Sequence, residues 1–118
     1  LLWRRATRKL VELNESGLLL GVRPREQYAQ TEFRLEAGDR LLLYTDGLVE
    51  AENARGEVFG DSSLEEFIAA HQNLSPEQFA EHLLNEVIGW SENGSTRGQA
   101  DDITLVVIDI GDMPEAIP

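Results

Sequence analysis

The stretch Arg40-Leu41-Leu42-Leu43-Tyr44-Thr45-Asp46-Gly47-Leu48 constrains this chain more than any other. It opens on an unbroken apolar run bounded by turn residues, and such a run predicts a strand buried on both faces. The apolar character stops at an aspartate followed by a glycine. A carboxylate at the tip of a buried strand sits on a rigid mount, as a tightly positioned metal ion requires. Gly47 lets the backbone turn sharply and lets other groups come close. Asp-Gly is equally a common turn dipeptide, so this stretch alone also reads as an ordinary turn.

A second stretch bears on the choice. Ala100-Asp101-Asp102-Ile103-Thr104-Leu105-Val106-Val107-Ile108 places two aspartates at the start of another apolar strand. In an antiparallel pair the end of one strand lies beside the start of its neighbour. Asp46 and Asp101 can therefore meet at one rim of one sheet. The bland alternative is that Asp101-Asp102 is only a polar approach to a strand.

The bulk properties narrow the classes of function. The chain has 118 residues, 42% of them hydrophobic, which suits one modest domain or part of a larger one. Its net charge of −12 repels nucleic acid and anionic membranes, leaving proteins or small ligands as partners, with metal help. The absence of cysteine excludes disulfides, thiolate zinc sites and iron–sulfur clusters. The two histidines, His71 and His82, lack the spacing of a zinc motif. No apolar run approaches transmembrane length and no signal peptide is visible, which predicts a cytoplasmic chain. The first residue is Leu1 and not Met, which suggests a piece of a longer protein.

Along the chain, residues 1–13 read as a hairpin whose basic cluster, Arg4, Arg5, Arg8 and Lys9, forms a solvated turn. A phosphate-binding role for that cluster lacks a glycine-rich or helix N-terminal setting. Residues 18–22 form a short apolar segment, with Gly21 at a point where backbone could approach backbone. Residues 28–35 alternate polar and apolar and predict a half-exposed strand. Ala37-Gly38-Asp39 is a tight turn, and Asp39 is a turn residue, not a ligand. The pattern at Ser62-Ser63-Leu64-Glu65-Glu66 is that of a capping box opening a helix to about residue 72. Ser75-Pro76-Glu77-Gln78 opens a second helix, with Phe79, Leu83, Val87 and Trp90 as its core stripe. Residues 91–99 predict a mobile loop, residues 103–110 the last strand, and residues 113–118 a frayed tail. Short strand links predict a largely antiparallel α+β arrangement over residues 1–112.

Hard divalent cations such as Mg²⁺ and Mn²⁺ prefer oxygen ligands, and Mg²⁺ takes few carboxylates while keeping several waters. Aspartates at strand ends can hold such ions without any histidine. A metal pair can activate a water at neutral pH and neutralise a phosphate during in-line displacement. Carboxylates held close together repel, so metal should stabilise the fold.

The run over residues 35–51 resembles the PPM family of metal-dependent protein serine/threonine phosphatases. More narrowly it is similar to the bacterial SpoIIE-like branch, which dephosphorylates antagonists of anti-sigma factors. The likeness continues through Asn53, Gly56-Glu57-Val58-Phe59-Gly60, Leu64 and Ile68, and closes with residues 100–107. Leu20-Gly21-Val22 also fits, although a proline is usual where Leu19 stands. The resemblance implies a sandwich of two antiparallel sheets with helices outside. It implies a two-metal Mn²⁺ or Mg²⁺ site with Asp46 and Asp101 as ligands, Asp102 and Gly47 in support, and a phosphorylated regulatory protein as substrate. Glu50 and Asn53 fit the motif without an evident chemical role.

One departure is large. The family's earlier motif, an aspartate followed by Gly-His-Gly, has no match, and neither histidine is flanked by glycines. The chain reads as the C-terminal half of the domain, lacking the aspartate that bridges both metals. Such a piece should expose strand edges, associate with itself, bind Mn²⁺ or Mg²⁺ weakly and show little activity. A regulatory module that kept the fold and lost catalysis is the alternative from another class. An unrelated acidic α+β domain with two ordinary Asp turns is the third.

Overall fold

The computed structural model of the protein describes residues 1–92 and 102–112. Strands β1 (Leu2–Arg4) and β2 (Lys9–Val11) form the N-terminal hairpin. Strand β3 (Arg40–Tyr44) follows, then helices α1 (Gly60–Ala70) and α2 (Pro76–Glu92), then strand β4 (Leu105–Asp109). The strands make one four-stranded sheet in the order β2-β1-β3-β4, antiparallel at every pairing. The α+β arrangement is therefore as the short links predict.

The register decides which residues share a face. Trp3 lies opposite both Leu10 and Arg40, Leu42 opposite Val107, and Tyr44 opposite Leu105. Trp3 and Leu42 join Phe59, Leu64, Phe67, Phe79, Leu83 and Val87 in one buried cluster under the helices. The stripe of α2 is as its spacing predicts, with Phe79 and Leu83 fully buried and Trp90 partly so.

The second face departs from expectation. Leu43 is 53% exposed, its partner Val106 46% and Ile108 41%, so β3 is covered on one side only. Its triple leucine encodes two apolar faces, but the helices pack on just one of them. Leu2, also on that second face, is fully buried, so the open strip is confined to β3 and β4.

Residues 12–39 contain no strand, and the predicted strand at 28–35 is absent. Period-two alternation states which face a strand would bury; it does not supply a neighbouring backbone to pair with. The segment is held instead by scattered links, such as Tyr28 Oη to the Leu19 carbonyl at 3.4 Å and the Thr31 hydroxyl to Glu15. Gly21 takes a positive φ of 84°, which favours glycine, but open space surrounds it and no backbone approaches.

Asp39 does sit in a turn, and it is buried there. Its carboxylate accepts from Arg4 Nη1 at 2.8 Å and from the Glu36 amide at 2.9 Å, which ties the hairpin to the start of β3.

Helix α1 begins at Gly60, ahead of the predicted Ser62–Ser63 box, and has no side-chain cap. Buried Phe59 sets the start instead: its amide donates to the Ala51 carbonyl at 2.8 Å and its ring meets Trp90 edge-on. Helix α2 starts as predicted. The Gln78 amide donates to Ser75 Oγ and the Ser75 amide to Gln78 Oε1, each at 3.2 Å, which is a complete capping box. Ser75→Ala should cost about 1 kcal/mol, read as a lower midpoint in urea with an unchanged slope. The predicted loop at 91–99 has its first two residues in α2, and its remainder lies outside the described residues, as does the tail at 113–118.

Candidate functional site

The pairing of β3 with β4 runs from Arg40 opposite Asp109 to Tyr44 opposite Leu105. Beyond that last pair the two chains stay joined. The Thr45 amide donates to the Thr104 carbonyl at 3.1 Å, and the Thr104 amide donates back to Thr45 Oγ1 at 2.9 Å. The Thr45 hydroxyl donates in turn to the Asp102 carbonyl at 3.3 Å. The end of β3 and the residues that lead into β4 thus share one rim.

Asp46 stands on this rim, exposed to solvent. It also lies in a turn: the Leu48 amide donates to the Thr45 carbonyl at 3.1 Å and the Glu50 amide to the Asp46 carbonyl at 2.9 Å. Turn and rim are therefore one feature, with buried Gly47 and fully buried Leu48 anchoring the turn from below. Asp102 is exposed at the neighbouring chain. Asp101 lies outside the described residues.

The electrostatics are one-sided. The Tyr44 phenol is pushed above its ordinary value, first by burial and then by the charges of Asp61, Glu12, Asp46 and Glu65. Carboxylates from the turn after β3, from α1 and from the residue after β2 thus bear on one phenol at the last residue of β3. Among the described residues the basic cluster does not lie at the same end. The basic hairpin follows Arg4, and β1 runs antiparallel to β3 with Trp3 opposite Arg40, so that hairpin lies at the other end of the sheet. At about 3.3 Å per residue this is a separation of roughly 20 Å or more from Asp46.

The donor set suits a hard cation. Exposed carboxylate oxygens without thiolate or nearby imidazole favour Mg²⁺ or Mn²⁺ over zinc or copper. Among the described residues no three acidic or histidine side chains form a cage, so Asp46 with these neighbours alone is an incomplete site.

Two roles escaped the sequence reading, those of Thr45 and of Asn53. Thr45 is the first; a threonine facing Thr104 across two aligned strands is its only signal. Asn53 is the second. Its Oδ1 accepts from the Arg55 and Glu57 amides, each at 3.0 Å, and so shapes the loop that delivers Phe59 to the core. Its part in the motif is architectural, and the nearby Gly56 at a φ of 74° is the signal that a tight loop stands there.

Similarity to known proteins bears on the fold and the family. Protein IcfG of Synechocystis sp. PCC 6803 is 29% identical over 96 residues, covering 81% of this chain and 14% of that protein. The phosphoserine phosphatase RsbU of Bacillus subtilis is 26% identical over 97 residues, covering 82% of this chain and 28% of that protein. Among solved structures, the SiaA-PP2C domain of Pseudomonas aeruginosa superposes with a TM-score of 0.64 at 22% identity, over 72% of this chain and 34% of that one. The Mn-presoaked phosphatase domain of the cell-fate determinant SpoIIE from Bacillus subtilis gives 0.54 at 27% identity, over 70% and 36%. The chain thus spans between 14% and 36% of the length of these proteins. The profile of the Stage II sporulation protein E (SpoIIE) family matches residues 1–111. With nearly its whole length inside that profile, the chain belongs to the SpoIIE family of PPM-type phosphatases.

Proposed function

We propose that the chain is part of a metal-dependent protein serine/threonine phosphatase acting on a phosphorylated bacterial regulatory protein of the anti-sigma factor antagonist type. Asp46 and Asp101 are the carboxylate ligands that this chain contributes, with Gly47 and Asp102 in support. The observation that carries the reading is the antiparallel joining of β3 to β4, which gives the chain after Asp46 and the chain before Thr104 one common rim. The names of the relatives support the class of reaction, since RsbU is a phosphoserine phosphatase and the SpoIIE structure is that of a phosphatase domain.

Charge supplies an independent reason for a cation. A phosphoryl dianion approaching Asp46, Asp61 and Glu65 on a chain of net charge −12 meets repulsion. Bound Mn²⁺ or Mg²⁺ would neutralise that phosphate and supply an activated water for in-line attack. The chain's own residues do the positioning: Asp46 presents oxygen ligands from a turn anchored by Leu48, and the rim stays open for a protein substrate.

Phosphate release from a phosphoserine peptide by the full-length protein, with and without chelator, tests the assignment. Hydrolysis that stops in EDTA and returns with Mn²⁺ or Mg²⁺ is the expected result. Turnover unaffected by chelator would overturn it. The isolated chain should bind Mn²⁺ weakly and hydrolyse p-nitrophenyl phosphate slowly, because two carboxylates make only part of a two-metal site.

A further inference from the structure

Phe67 and Phe79 lock α1 against α2, their rings 5.3 Å apart and edge-on. That contact brings together two side chains that the phosphatase reading does not use. His71 caps the C-terminal end of α1, and its half-buried ring stacks on Phe67 at 4.0 Å. Its Nδ1 lies 3.0 Å from the Phe67 carbonyl. A carbonyl oxygen only accepts, so Nδ1 carries the proton and Nε2 carries the lone pair. His82 follows Phe79 by one turn of α2 and is exposed to solvent, its ring centre 6.5 Å from that of His71. The Leu74 amide donates to the His71 carbonyl at 3.2 Å and Arg40 donates to the Leu74 carbonyl, which puts the pair at the end of the sheet away from Asp46.

We propose that His71 and His82 form a two-imidazole clamp for a borderline divalent cation, Zn²⁺ or Cu²⁺, which ties the end of α1 to α2. The class of ion follows from the donors. Imidazole suits Zn²⁺ and Cu²⁺, whereas Mg²⁺ and Mn²⁺ prefer oxygen, so this clamp and the rim at Asp46 select different ions. A metal-ligating histidine usually donates its other ring N–H to a carbonyl or carboxylate, which fixes the tautomer and makes the ligating nitrogen more basic. The Phe67 carbonyl does this for His71, and stacking on Phe67 holds the plane of the ring. At a metal–nitrogen length of about 2.0–2.1 Å, two imidazoles on one cation have ring centres roughly 5–6 Å apart. A change of rotamer at exposed His82 closes the remaining gap of about 1 Å. Among the described residues no third carboxylate or imidazole completes a cage, so water fills the other positions, as in an open zinc site. The net charge of −12 favours cations at every face of the chain.

The test uses the full-length protein without a histidine tag, at saturating Mn²⁺, and compares the parent with His71→Gln, His82→Gln and Asp46→Asn. Zn²⁺ binding is measured by competition with a chromogenic chelator, and melting is followed beside it. The parent should bind Zn²⁺ and melt at a higher temperature as Zn²⁺ is added. Either histidine variant should bind Zn²⁺ at least about 10-fold more weakly and lose the melting response, because one imidazole cannot bridge two helices. Asp46→Asn should keep both. Electron paramagnetic resonance of one equivalent of Cu²⁺ should show two nitrogen ligands in the parent and one in each histidine variant. Loss of the stacking on Phe67 can itself unfold His71→Gln; His82→Gln removes an exposed ring, stays folded and carries the test alone. Parental Zn²⁺ affinity in His82→Gln overturns the proposal, as does a parent that binds no Zn²⁺. Binding lost in Asp46→Asn but kept in the histidine variants overturns it too, since the zinc would then sit at the rim.

Discussion

Asp46→Asn in the full-length protein is expected to lower Mn²⁺-dependent phosphate release at least about 100-fold and to leave the melting temperature in chelator within about 2 °C of the parent. The two halves of that result have separate causes. Removing a direct ligand should exceed the 10–100-fold cost of removing a partner that only orients one. Stability should hardly change, because the carboxylate is exposed and the turn is held by backbone bonds at Thr45 and Asp46 that asparagine retains. Without metal the variant should gain slightly, since one of several like-charged carboxylates around Tyr44 is removed. The Tyr44 phenol, held neutral above its ordinary value, adds stability below that value and loses it as pH rises through the raised one. Measurements near neutral pH are therefore free of its titration. An Asp46→Asn protein with parental Mn²⁺ dependence would remove the site from this rim.

The elements that could be read from sequence were those whose cause is local. The Ser75–Gln78 capping box and the stripe of Phe79, Leu83 and Val87 follow from spacing alone, and both stand in the structure. The start of α1 was misread because Phe59, packed against Trp90 and bonded to Ala51, outweighs the serines that follow. The strand at 28–35 was misread for a similar reason: alternation is local, whereas ladder partners come from elsewhere in the chain. For the rim, Asp46 and Asp102 could be named from sequence, but Thr45 could not, because its role exists only once β3 and β4 are aligned. Arg40 was hidden in the same way, because its pairing with Asp109 exists only across the aligned strands.

Asp109→Ala is expected to destabilise the protein by about 2–3 kcal/mol, a drop of about 10 °C in the melting temperature, whether or not metal is present. Arg40 is 5% exposed on the helix side of the sheet. Its Nε and Nη2 donate to the two Asp109 carboxylate oxygens at 2.6 and 2.9 Å, and Nη2 also donates to the Leu74 carbonyl at 2.5 Å. The guanidinium carbon lies 4.9 Å from the centre of the Phe79 ring. One side chain thus joins β3, β4, the α1–α2 link and α2. Truncating Asp109 leaves a guanidinium charge in a dry setting, with Nη1 already lacking a partner among the described residues. Breaking such a pair usually costs about 3–5 kcal/mol, and the figure is reduced because Asp109 is 40% exposed and water reaches that end. Replacing both partners removes the stranded charge, so Arg40→Met with Asp109→Leu should recover most of the loss. A thermodynamic cycle on these variants measures the coupling directly. Asp109→Ala within about 0.5 kcal/mol of the parent would show that solvent already satisfies Arg40. The pair sits at the end of the sheet away from Asp46, so its loss should shift melting equally in EDTA and in Mn²⁺. That independence separates the residues that hold this fold from those proposed to hold its metal.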